Sequence, residues 1–244
     1  MAPWSTEDLS GPDGEDWRVP VKELETRLEN LSHRLAKAEL PGVLIQNPVD
    51  LYYYAGGRQN GTLFVPATDS NASIHQGGDG AKFFVRRSLS RAKYEAGGAD
   101  SPFTVEKFPS LRVFAETLSN LGLEQAPGLQ YGEIPADFAQ KFRSVLAPLG
   151  DAVDCTHEIH LQREVKSDWE IAMMREGAKI QEQMFEAVEK SIKIGATELE
   201  IVASAEEVSR RNGFGGNVQM RRFPLQCDRA VIVSGRAGGI PSFF

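Results

Sequence analysis

Cysteine is almost missing, with Cys155 and Cys227 the only two in 244 residues and far apart. A disulfide framework is therefore not the basis of this fold, and two cysteines this far apart do not make a zinc site. Both read as buried free thiols. Histidine is scarce too: His33, His75, His157 and His160 are the full set, so none follows position 160. No apolar run reaches the roughly 18 residues of a membrane-spanning helix. The first residues, MAPWSTEDLSGPDGEDW, are acidic and do not form a basic leader ahead of an apolar core. Basic charge is in deficit, with a net charge of −7 and a pI near 5.3. Nucleic acid and anionic membrane are not expected partners, because both require a basic face. The expected location is cytoplasmic.

What the chain does have is an alternation of short strands and helices. Residues 1–19, rich in Asp, Glu, Gly, Pro and Ser, are expected to be a disordered tail. Val21, Leu24, Leu28, Leu31 and Leu35 recur in steps of three and four, which predicts an amphipathic helix ending before Leu40-Pro41-Gly42. Gly42–Gln46 is a short apolar run suited to a strand covered on both faces, and Asn47-Pro48 turns into a short segment stopped by Gly56-Gly57. Strands are predicted at Gly61–Pro66, Lys82–Arg86, Phe103–Phe108, Leu129–Tyr131 and Ala152–Asp154, with a polar loop at Ala67–Gly80. Helices are predicted at Ser88–Ala96, Leu111–Leu121 and Pro135–Leu146. The pattern predicts one α/β domain over residues 20–162.

A second element group starts at a capping box, Ser167 with Glu170, from which Ile171, Met174, Ala178, Phe185 and Val188 form an apolar stripe that needs a sheet to cover. Thr197 with Glu200 is a second box, opening a helix that ends at Asn212-Gly213. Met220–Phe223 and Ala230–Val233 are the strand candidates beyond it. Two helices and two strands do not close a core, so residues 163–244 are expected to be the beginning of an incomplete domain.

Candidate chemistry is sparse. His157 and His160, with Asp154 and Cys155 nearby, have the residue types of a metal cluster but sit at a domain junction and are not assigned as ligands. If that segment is extended, residues three apart point to opposite faces. Gly213–Gly216 and Gly235–Gly239 lack the Lys-Ser/Thr of a nucleotide loop and the strand-loop-helix order of a dinucleotide site. No nucleophile elbow or Cys/His pair emerges. The residues alone leave the function open.

Three motifs in order carry a resemblance. Arg163-Glu164-Val165-Lys166-Ser167-Asp168-Trp169-Glu170-Ile171, then Met174-Arg175-Glu176-Gly177-Ala178, resembles the start of the catalytic domain in the pita-bread metallopeptidases. That group comprises Xaa-Pro aminopeptidases, Xaa-Pro dipeptidases and creatinases. Gly42–Ile45 with Asn47-Pro48-Val49-Asp50-Leu51-Tyr52-Tyr53-Tyr54-Ala55-Gly56 is similar to the group's N-terminal-domain signature. Val233-Ser234-Gly235 through Pro241 is similar to its S-G-x-N-x-x-x-P-H segment, which lines the substrate pocket.

The resemblance implies a creatinase-type N-terminal α/β domain followed by an incomplete pita-bread α+β domain. It implies hydrolysis of the bond before proline in a peptide or dipeptide, homodimerisation, and two divalent ions, Mn(II) or similar. Ser234, Gly235, Pro241 and Ser242 are the implied substrate-binding residues. There are two departures: the motif's Asn falls on Ala237 and its His on Ser242. The family's ion ligands are two Asp, one His and two Glu, all beyond the S-G motif. Residues 161–244 hold no His, so no catalytic or metal residue is assigned and the 244-residue chain is expected to be inactive by itself. A non-catalytic peptide-binding module is the alternative implied, and a creatinase-type amidinohydrolase is a lesser one.

Overall fold

Leu24, Leu28, Leu31 and Leu35 turn the first helix, α1 (Val21–Lys37), into a one-sided apolar rod, and all four are buried. The computed structural model describes residues 16, 18–68, 80–215, 218–219, 226–227 and 232–239. Two compact units divide the chain, Met1–Val165 and Lys166–Phe244.

In the first unit, β1 (Gly42–Ile45) is buried along its whole length. Asn47 then caps α2 (Pro48–Ala55): its Oδ1 accepts from the Val49 N–H at 2.8 Å, and Pro48 occupies the first turn, where its missing N–H costs nothing. Gly56 ends this helix in the left-handed region at φ +73°, and a Cβ there would meet the Glu95 carbonyl oxygen at 2.5 Å. The chain continues through β2 (Gly61–Pro66), β3 (Lys82–Val85), α3 (Leu89–Glu95) and β4 (Thr104–Lys107). It then runs through α4 (Phe114–Ser119), β5 (Gly128–Leu129), α5 (Ala136–Leu146) and α6 (Thr156–Glu164).

The strands make a mixed sheet in the order β4-β3-β2-β1-β5, with β1–β2 and β2–β3 antiparallel and β3–β4 and β1–β5 parallel. Alternation sends Leu44, Phe64 and Phe84 to one face, into a core with Phe108, Phe114, Leu118, Phe142 and Leu146. Phe114 is its hub, stacked on Phe108 at 5.0 Å and edge-on to Phe84 at 5.5 Å and Phe142 at 6.0 Å. α1 packs on β1 and β2 and on α2 and α6. The fold is α/β with a mixed sheet.

Some expectations need correction. Leu111–Leu121 is a 3-10 turn (Leu111–Val113) leading into the short α4. Ala152–Asp154 contributes only a single bridge, Asp154 to Leu129, and β5 is correspondingly two residues long. The reason lies in Asp154 itself: its Oδ1 accepts from the Thr156 N–H at 3.0 Å and the Tyr131 N–H at 3.2 Å, which turns the chain instead of extending it. The residues that follow are helical (α6), so the extended geometry expected around His157 and His160 is absent. Arg18 and Val19 are already fixed, Arg18 by a 3.0 Å bond to the Tyr94 carbonyl and Val19 by burial.

In the second unit both capping boxes form, opening α7 (Asp168–Ser191) and α8 (Glu198–Arg211). The two helices pack on each other through a face that overlaps the predicted stripe only at Val188. Ile180, Met184, Ala187, Val188 and Ser191 are half-buried along the C-terminal half of α7, and Trp169, Glu170 and Ile171 at its start, whereas Met174 and Phe185 are 58% and 65% exposed. The covered face lies about 120° around the helix, because α7 carries two apolar stripes and α8 takes only one. β6 (Val218–Gln219) pairs with β7 (Gln226–Cys227), and α9 (Gly235–Gly238) follows. The predicted strand Met220–Phe223 lies outside the described residues, as do Ala230 and Val231, while Ile232 and Val233 belong to no strand.

Candidate functional site

The densest chemistry among the described residues surrounds the start of α2, which the N-terminal signature motif encodes. Asp50 lies in the first turn, where the helix dipole favours an anion, and its side chain is 1% exposed. A buried carboxylate needs its oxygens filled. Oδ2 accepts from Gln130 Nε2 at 2.6 Å, and Oδ1 accepts from Arg163 Nη1 at 2.6 Å. Gln130 reaches this position from the end of β5, and its Oε1 accepts the Gln46 and Asn47 N–H groups at 3.0 and 3.3 Å. These two backbone donors lie between β1 and α2, outside the sheet ladder, and a side chain takes the place of a strand.

Asn47 Nδ2 donates to Glu133 Oε2 at 3.2 Å, and the other Glu133 oxygen lies 2.7 Å from His160 Nε2. Arg27 of α1 lies 3.9 Å over the Tyr53 ring, donates to the Tyr53 carbonyl at 2.8 Å and pairs with Glu23 at 2.9 Å. Burial pushes the Tyr54 hydroxyl well above the ordinary phenol range. Both carboxylates of this network are engaged, Asp50 by Gln130 and Arg163 and Glu133 by Asn47 and His160. The network binds α1, α2, β5 and α6 together instead of presenting reactive groups. Sequence reasoning picked out Asp50 and Arg163 only as motif letters. Gln130 and Glu133 stand 80 and 86 residues from the partners they hold, and no local pattern marks them.

The implied substrate residues are divided between described and undescribed positions. Ser234 and Gly235 are described and exposed, whereas Pro241 and Ser242 lie outside the described residues. Ser234 is held firmly: its N–H and its hydroxyl both donate to Glu198 Oε1, at 2.6 and 2.7 Å. Glu198 is the first residue of α8, next to the capping box of Thr197 and Glu200. Gly235 begins α9 at φ +58°, a backbone state suited to glycine. The hydroxyl of Ser234 thus acts as an anchor for its own loop.

The described residues do not fit a two-ion centre. No group of three or more His, Cys, Asp or Glu among the described residues is arranged to hold a metal. His157 and His160 share a helix side, but His160 faces Glu133 and His157 is exposed, while Asp154 is engaged by Thr156 and Tyr131. No helix among the described residues is long and apolar enough to cross a membrane.

Comparison with known proteins follows the same division. The model of the Creatinase/Prolidase N-terminal domain matches residues 27–165, more than half of the chain. The uncharacterized hydrolase/peptidase y4tL of Sinorhizobium fredii is 36% identical over 91 residues, 36% of this chain and 23% of that protein. The Xaa-Pro dipeptidase from Bacillus anthracis shares the fold at a TM-score of 0.66 and 19% identity, over 80% of this chain and 51% of its own. The prolidase from Pyrococcus horikoshii does so at 0.59 and 20% identity, over 79% and 52%. Both matches take in more residues than the 165 of the first unit. The chain spans about half the length of these solved structures and about a quarter of the curated relative. With its mixed sheet, its Asn47-capped helix and a match running through the whole of α6, the chain belongs to the Creatinase/Prolidase N-terminal domain family.

Proposed function

We propose that this chain is the N-terminal share of a metal-dependent hydrolase that cleaves the bond before proline in a peptide or dipeptide. In this reading residues 20–162 are the creatinase-type domain and residues 163–244 open the pita-bread catalytic domain. The protein works in the cytoplasm as a homodimer. The supporting observation is the family match over residues 27–165, continued into the second unit by the fold it shares with Xaa-Pro dipeptidases and prolidases. Ser234 and Gly235, with Pro241 and Ser242, would border the substrate, and the Glu198 bonds to Ser234 would keep that segment in place. Two divalent ions, Mn(II) or similar, are proposed for the working enzyme. Their ligands are not drawn from residues 161–244, which hold no imidazole.

A second reading, a peptide-binding module without hydrolysis, is favoured by one residue. Ser242 stands where the motif has His, and a hydroxyl does not serve as an acid or base near neutral pH. Steady-state assays on Gly-Pro and Ala-Pro with excess Mn(II) separate the two. The complete product of the gene is expected to turn over these substrates, and the 244-residue chain is not. Saturable binding of the same dipeptides without turnover by the complete product would select the binding module.

A further inference from the structure

α6 is held to the first unit in an unusual way. Of its nine residues only Thr156 and Ile159 are buried, and Ile159 is the sole buried apolar side chain. The remaining attachment is polar. Gln162 Nε2 donates to the Arg27 carbonyl of α1 at 2.6 Å, and Glu158 lies 3.6 Å from Arg34 of the same helix. His160 meets Glu133 at 2.7 Å, and Arg163 meets Asp50 of α2 at 2.6 Å. A helix docked through one fully buried apolar residue, a half-buried Leu161 and a row of polar contacts depends strongly on the polar contact that is least replaceable.

That contact is Arg163 with Asp50, and its two ends are unequal. The Asp50 side chain is 1% exposed and the Arg163 side chain 34%. With Asp50 removed, a third-exposed guanidinium keeps water and the Tyr53 ring, 5.7 Å away. With Arg163 removed, a carboxylate stays enclosed with only the Gln130 amide, and release of α6 would relieve that cost by letting water in. We infer that Asp50 and Arg163 form a latch on α6, which opens as one piece while the sheet stays closed. Docked, the helix carries the first unit to Glu164; released, it leaves the unit ending at Cys155.

Hydrogen exchange read by mass spectrometry on the 244-residue chain tests this. Arg163→Met is expected to speed exchange across residues 156–164 by about tenfold or more, with β1 and β2 unchanged. Asp50→Asn is expected to produce a smaller increase. The double variant Asp50→Asn/Arg163→Met is expected to exchange more slowly there than Arg163→Met alone, because no charge is left enclosed. Arg163→Lys keeps the charge and should retain most of the protection. Unchanged exchange in Arg163→Met overturns the latch. So does an equal rise in β1 and β2, loss of the folded sheet, or a double variant no better protected than the single.

Discussion

Cys155 is a nucleophile in name only. Burial, with the neighbouring Asp154 carboxylate adding to it, pushes its thiol far above the ordinary 9.0. A folded-state value raised in this way gives a sign: the contribution to stability is whole below pH 9, the unfolded value, and is lost as pH climbs above it. In a Cys227→Ser background, the native protein should therefore resist a thiol-disulfide reagent at pH 8 and react only on unfolding. Rapid labelling of the native chain would place Cys155 at the surface. The reading of Cys155 as a buried thiol needed only the scarcity of cysteine in the chain. Asp50 shows the opposite case. Its sequence neighbours describe an ordinary exposed helix start, and its burial depends on Gln130 and Arg163, which are 80 and 113 residues away.

At the scale of elements, legibility follows locality. Gly61–Pro66 was readable to the residue, because apolar content and flanking turns coincide there, and both capping boxes form as their spacing implies. The box at Ser167 accepts the Glu170 N–H at 3.1 Å, while Glu170 accepts the Ser167 N–H at 3.0 Å. Ser167→Ala should cost α7 about 1 kcal/mol, visible as a lower midpoint in circular-dichroism melts of helix signal. An unchanged midpoint would mean that packing against α8 alone sets the start of this helix. Elements failed to be legible where two local preferences compete. Ala152–Asp154 reads as a strand by composition, but the Asp154 carboxylate turns the chain into α6 after a single bridge. The stripe through Met174 and Phe185 was visible, but nothing local says which of two apolar stripes a neighbour will take.

For the whole molecule, the sequence carries a fold and a family, and the proposed hydrolytic chemistry has no imidazole to draw on in residues 161–244. The α/β domain over residues 27–165 has its own sheet, its own aromatic core and a polar hub built on Asp50 and Gln130. Ser234 is anchored to Glu198, and no described cluster gathers ion ligands. A dinuclear hydrolase needs carboxylates and an imidazole converging on two ions. Whether residues 1–244 contain such a centre is decided most directly by calorimetric titration of Mn(II) into the purified chain at neutral pH. No saturable heat corresponding to two ions per chain is expected. Saturable binding of two Mn(II) per chain, lost on mutating Asp or Glu residues between positions 161 and 244, would contradict the assignment of the hydrolytic centre to residues outside this segment.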